Sequence, residues 1–180
     1  IKVNEYLETS MPGIYALGDA NGRYLFKHVA NYESSIVFQN AFLKRKVKVD
    51  YSKVPHAVFT HPEIAEVGMK ESEAVKEFGD KVLIGFYRYE DTAKGMAMGA
   101  ENYFVKVILT RDGRILGAHI FGPYASILIH EIIALMGVDA KLQDFDAMHI
   151  HPSLSEVVER ALYNLMPVEH YKHVKKEYLQ

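Results

Sequence analysis

F-V-K-V-I-L-T-R-D-G-R-I-L-G-A-H-I, residues 104–120, places two runs of β-favouring residues on either side of Asp112-Gly113. Asp-Gly accepts the positive φ angles that a tight hairpin requires. The two runs, Tyr103 to Thr110 and Ile115 to Phe121, therefore predict adjacent antiparallel strands. Val82 to Glu90 supplies a third long run, and His56 to Thr60 a shorter one. Between them Met69 to Phe78 has an amphipathic helical pattern closed by Gly79. Tyr124 to Gly137 and Ser153 to Leu165 follow the hairpin as helices. In the latter, Leu154, Val157, Val158, Ala161, Leu162 and Leu165 keep the i, i+3, i+4, i+7 spacing of one buried face. Strands and hairpins with flanking helices predict an α+β fold built on an antiparallel sheet, not a wound parallel one.

Residues 1–50 differ in character. Ile1 to Leu7 and Ile14 to Leu17 read as short strands, and Leu25 to Leu43 as a helix with Phe26, Val29, Ala30, Ile36 and Val37 near one face. Lys44, Arg45, Lys46 and Lys48 follow it, as suits the negative end of a helix dipole. Asp50 to Pro55 reads as a linker. The organisation expected is a first part over 1–50, a second over 51–169 and a polar, frayed tail over 170–180.

The chain has 180 residues, 49% of them hydrophobic, and so can bury a core. A net charge of -2 leaves no footprint for nucleic acid or an anionic membrane surface. No apolar run reaches membrane-spanning length and no secretory signal opens the chain, so the expectation is a cytosolic piece of a longer protein. It holds no cysteine, which excludes disulfide scaffolding, thiolate zinc sites and thiol nucleophiles within these residues.

Two stretches carry chemistry. T-S-M-P-G-I-Y-A-L-G-D-A, Thr9 to Ala20, is an apolar strand that ends on Gly18 and presents Asp19. Ligands of open α/β sheets bind at such strand ends, and Asp19 can accept hydrogen bonds from polyol hydroxyls; the same dipeptide also reads as a plain turn. H-P-S-L-S-E, His151 to Glu156, is equally double. Ser153 with Glu156 three residues on spells a helix capping box, whereas His151 and Glu156 spell a base and the acid that orients it. Met148-His149-Ile150-His151 and His170 with His173 pair imidazoles, but no third ligand converges on them, so no metal is expected. The methionines of Lys94 to Met98 read as packing residues.

These stretches, in order, resemble the flavoprotein disulfide reductases. T-S-M-P-G-I-Y-A-L-G-D is similar to their second FAD-binding motif. P-H-A-V-F-T-H-P-E-I-A-E-V-G-M-K-E-S-E-A (Pro55 to Ala74) is similar to the opening of their interface domain, Phe104–Ile108 and Ile115–Ile120 to its central hairpin, and H-P-S-L-S-E to the signature of their catalytic histidine. Leu154 between the two serines most resembles the dihydrolipoamide dehydrogenase branch. The resemblance implies that residues 1–50 are the end of an FAD-binding domain and that the rest is an interface domain, pairing as a homodimer. Asp19 would bind the ribityl chain of FAD, with Leu25, Phe26, Lys27 and His28 at the helix start beside the flavin. His151 would take a proton from a substrate thiol at the partner's flavin and disulfide, and Glu156 would orient it. NAD or NADP would be the co-substrate, and a small dithiol or disulfide the substrate, with the lipoyl domain of a 2-oxoacid dehydrogenase complex a further partner. A glutathione reductase-like enzyme and a non-catalytic dimerisation module are the alternatives. No Gly-x-Gly-x-x-Gly and no cysteine pair occur; the resemblance places both upstream, so the chain alone is not expected to turn over. Ile127 stands where many relatives have Glu.

Overall fold

The computed structural model describes residues 1–178 and divides the chain into two compact units, Ile1–Tyr51 and Ser52–Gln180.

The first unit is built on one helix, α1 (Lys27–Ala41). Its buried residues Val29, Glu33, Ile36 and Asn40 recur at the spacing of a single helix face, so two of four inward positions are polar. The segments read as strands do not form regular strands. Glu8 and Tyr15 meet in one isolated antiparallel bridge, and the Ala16 amide donates to the Leu7 carbonyl at 3.1 Å. A strand is stable only when its backbone groups find a partner along its length, and here the chain turns away at Leu7, whose φ is 64°. Asn40 satisfies that turn instead: its Nδ2 donates to the carbonyls of Tyr6 and Val47, and its Oδ1 accepts from the Val47 amide. The helix starts two residues later than expected and ends at Ala41, so Lys44, Arg45, Lys46 and Lys48 lie beyond its last turn.

In the second unit six strands form one antiparallel sheet: β1 (His56–Val58), β2 (Glu63–Gly68), β3 (Val82–Arg88), β4 (Phe104–Thr110), β5 (Ile115–Gly122) and β6 (Leu165–Pro167), in the order β1-β2-β5-β4-β3-β6. The expected hairpin is its centre. β4 and β5 pair from Phe104↔Phe121 to Leu109↔Ile115, and the Gly113 amide donates to the Thr110 carbonyl with Gly113 in the left-handed region. β2 and β6 were not foreseen. β2 runs Glu-Ile-Ala-Glu-Val-Gly, polar and apolar by turns, and β6 is only three residues long.

Alternation along β4 sends Val105, Val107 and Leu109 to one face and Ile108 to the other. The first face is covered by α4 (Ala125–Gly137), through Ala125, Ile129, Ile132 and Met136, and by α5 (Ser155–Tyr163), through Val157, Val158, Ala161 and Leu162. The second face carries Val82, Ile84, Phe86 and Leu116 under Ala74 of α2 (Glu71–Phe78) and Tyr171 of α6 (Val168–Tyr178). A short α3 (Ala93–Ala97) follows β3. Each fully buried Val, Leu or Ile contributes roughly 1.5–3 kcal/mol, and having both faces covered is what makes the sheet rigid.

Three expectations are corrected. Residues 170–178 are helical rather than frayed, because Tyr171 packs on Phe86 at 5.5 Å between rings and Tyr178 at 6.4 Å; residues 179 and 180 lie outside the described residues. Leu165 belongs to β6, not to α5, because Asn164 leaves helical geometry and its Nδ2 donates to the Phe86 carbonyl. Met96 and Met98 are exposed rather than packed.

α5 approaches β3 so closely that a Cβ at Gly85 would stand 2.1 Å from the Ala161 carbonyl oxygen, whereas one at Gly137 would meet nothing within 4 Å. Gly85→Ala is therefore expected to cost about 1–3 kcal/mol, and Gly137→Ala to leave stability unchanged or raise it by up to about 1 kcal/mol; urea unfolding midpoints of the two variants check this.

Candidate functional site

The H-P-S-L-S-E stretch folds as a non-helical turn running into α5. His151 stands before the helix with its side chain 68% exposed, and Glu156 stands in the first turn, buried. His151 Nδ1 lies 2.9 Å from Glu156 Oε1, and the Ser153 amide donates to Glu156 Oε2 at 3.1 Å. An ionised carboxylate only accepts, so Nδ1 carries the proton and donates. The lone pair of the neutral ring is then on Nε2, on the exposed side. Glu156 is held below the usual carboxylate range, first by the His151 hydrogen bond and then by the Ser153 amide.

The Glu156 carboxylate thus meets both the His151 ring and the Ser153 amide. It serves both, because each oxygen takes one donor. Only half of the capping box forms: Ser153 Oγ accepts from the Ser155 amide at 3.3 Å and pairs with Ser155 Oγ at 2.9 Å. Leu154 between the serines is buried in the main core. The residue that favours the dihydrolipoamide branch by resemblance is therefore a packing residue within this chain.

The other paired imidazoles do not converge. His149 Nε2 is engaged by Glu131 at 2.8 Å, and His173 Nδ1 by the Glu169 carbonyl at 2.8 Å.

In the first unit Gly18 and Asp19 lie in a 3-10 turn, Gly18–Ala20. Gly18 has φ 60°, and a Cβ there would be 3.0 Å from the Cβ of Ala30. Glycine is thus required both by conformation and by the close approach of α1. The Asp19 carboxylate is exposed and makes no hydrogen bond or ion pair within the described residues. Leu25 is exposed and Phe26 is the residue before α1, so only Lys27 and His28 of the four expected helix-start residues are helical. The Lys27 ammonium turns back to Asn31 Oδ1. The His28 ring stacks on Phe26 at 5.3 Å and 11°, and Tyr24 lies 5.2 Å from Tyr51. An aromatic cluster therefore surrounds a helix end whose first amides point away from the helix.

Glu33 was missed. It is buried at 1% exposure and accepts from the Gly18 amide at 2.5 Å, the Asn21 side chain at 3.0 Å and the Tyr51 hydroxyl at 2.5 Å. Burial and the adjacent Glu33 push the Tyr51 phenol well up, so it remains a donor. The signal was present: Glu33 sits four residues after Val29 and three before Ile36 on an otherwise apolar stripe.

Residues 54–162 match the pyridine nucleotide-disulphide oxidoreductase, dimerisation domain. Mycothione reductase of Mycobacterium tuberculosis is 43% identical over 171 residues, covering 91% of this chain and 37% of that protein. Dihydrolipoyl dehydrogenase of Chlamydia pneumoniae is 37% identical over 159 residues, covering 87% of this chain and 34% of that one. LpdA from Mycobacterium tuberculosis superposes with a TM-score of 0.82 at 26% identity, over 89% of this chain and 35% of its own. The chain thus spans little more than a third of the length of the relatives it matches. With an antiparallel sheet covered by helices on both faces and a matching segment longer than half its length, the chain belongs to the pyridine nucleotide-disulphide oxidoreductases and carries their dimerisation domain.

Proposed function

We propose that this chain works as the C-terminal part of an FAD-dependent disulfide oxidoreductase that exchanges electrons between a small dithiol and NAD or NADP. The observation that carries this reading is the His151–Glu156 pair, with Nδ1 engaged by a carboxylate and Nε2 facing outward. Nε2 accepts the proton of a substrate thiol. The thiolate attacks one sulfur of a disulfide, forming a mixed disulfide as the original S–S bond breaks and the other sulfur leaves as a thiolate; in the reverse direction the imidazolium protonates the substrate sulfur as it departs. Thiols and imidazoles as classes have ordinary pKa values close enough for proton transfer near neutral pH. Glu156 stabilises the imidazolium and keeps the ring from turning. The chain has no cysteine, so the disulfide in this exchange lies outside it.

The residues at the start of α1 suit a flavin nucleotide: a free carboxylate for polyol hydroxyls at Asp19, aromatic rings, and helix amides that favour negative charge. FAD, when bound, supplies a two-electron carrier between thiol and nicotinamide. Asp19 holds its sugar-like chain in this reading, Leu25, Phe26, Lys27 and His28 line the ring side, and Glu33 keeps the Gly18–Asn21 turn in place.

The partner is a second copy of the chain. Tyr124, Ile127, Met148 and Ile150 are exposed on α4 and on the loop before His151, and burying them requires a partner surface. A symmetric dimer carries each His151 to the other protomer's site.

For substrate, dihydrolipoamide is the first reading, and the 43% identity with mycothione reductase favours a second, mycothione. Full-length enzyme assayed on both separates them. In that enzyme His151→Gln is expected to lower thiol-dependent turnover by about 10²- to 10⁴-fold while NADH oxidation by an artificial quinone persists; survival of both activities removes the base assignment. The chain itself is expected to sediment as a dimer at micromolar concentration, with Ile150→Asp shifting it toward monomer; a wild-type monomer under those conditions overturns the interface. Because the Glu156 carboxyl is depressed, its stabilising effect is complete above the ordinary Glu value of about 4.3 and fades as pH falls through the lower folded value. Acid unfolding of Glu156→Gln should accordingly lack that component.

A further inference from the structure

Two residues before the proposed base, His149 is as enclosed as His151 is open. Its side chain is 8% exposed. Nε2 lies 2.8 Å from Glu131 Oε1 of α4, and Nδ1 lies 3.2 Å from the Ala147 carbonyl and 3.6 Å from Glu159 Oε1 of α5. Every one of these partners is an acceptor. A neutral imidazole has one N–H and would turn its remaining lone pair on an oxygen lone pair, whereas an imidazolium donates from both nitrogens. The charge is matched on both sides, by Glu131 and Glu159, and Arg160 stands 4.0 Å behind Glu159. The ring also packs 5.6 Å from buried Phe145, whose carbonyl accepts from the Tyr163 hydroxyl at 2.7 Å. The loop is thus tied down from inside at Phe145 and His149, while Met148 (100% exposed) and Ile150 (78%) face out.

We infer that His149, as a largely enclosed cation between α4 and α5, is the positioning residue of the acid–base site, setting where His151 is presented. The inference rests on the base reading of His151 and adds to it a pH dependence that His151 alone does not supply. Burial opposes the charge on His149, but the Glu131 hydrogen bond and charge, the Ala147 carbonyl and the Glu159 charge outweigh it, and the group titrates above its ordinary value. A raised value means that the pin is fully engaged below about pH 6.5 and is released as pH rises through the folded value. Release frees the loop and loosens the placement of His151.

The test uses the full-length enzyme with three variants. His149→Gln, whose amide cannot donate in both directions, is expected to lower kcat for the thiol substrate by about tenfold with KM within about twofold and quinone-acceptor activity intact, as for lost positioning. It should also abolish the alkaline limb that the pin imposes. Glu131→Gln keeps a hydrogen-bonding group and removes one charge, and should move that limb down by about one pH unit. Long-range proton–nitrogen NMR of the wild-type chain should show His149 still doubly protonated above about pH 6.5, the ordinary histidine value. Wild-type kcat and pH profile in both variants, with His151→Gln inactive, overturn the positioning role and leave the base reading standing. Should His149→Gln fail to fold, a neutral His149 in the NMR titration together with an unshifted limb in Glu131→Gln overturns it equally. Turnover retained by His151→Gln removes the base reading and this inference with it.

Discussion

A carboxylate taken out of water must have its oxygens met by donors, and two such groups organise this chain. Glu156 at the start of α5 takes the Ser153 amide on one oxygen and the His151 ring on the other. Glu33 in α1 takes the Gly18 amide, the Asn21 side chain and the Tyr51 hydroxyl. Leaving such a group unmet costs more than a neutral hydrogen bond returns, so the surrounding backbone is obliged to come to it. In each case that backbone is the turn bearing an exposed chemical group, His151 in one unit and Asp19 in the other. The same arrangement, a helix-borne acid beneath a presented residue, serves both.

The acid can hold its turn only if the helix beneath it does not move. For α5 that rigidity comes from the sheet. Val157, Val158, Ala161 and Leu162 are fully buried against it, and Gly85 lets the α5 backbone come into direct contact with β3. The opposite face is partly covered by α2 and α6. On the proposed function, a base that must meet a thiol within hydrogen-bond reach would need such a foundation, since small displacements cost large factors in rate.

Much of this was legible from local pattern. Asp112-Gly113 between β-type runs fixed the central hairpin, and the spacing from Leu154 to Leu162 marked the buried face of α5. The six-residue stretch from His151 to Glu156 carried both of its meanings in its letters. Less visible were β2, whose alternation is diluted by Glu63, Glu66 and Gly68, and β6, which is too short to show a period. The roles of Glu33 and His149 were not legible because partners of each lie far along the chain: Tyr51, eighteen residues on from Glu33, and Glu131, eighteen residues back from His149.

What the sequence by itself determined, then, was everything set by nearest neighbours: turn chemistry, helical stripes, the strand pairing across a tight hairpin, and the residue types at each candidate site. The tertiary structure alone decided which oxygen of Glu156 meets which donor, that α6 packs on the second face, and that His149 lies between two acids. The physical reason is distance along the chain. Short-range preferences are printed in the residues that hold them, whereas burial and charge pairing depend on which segments the sheet brings together.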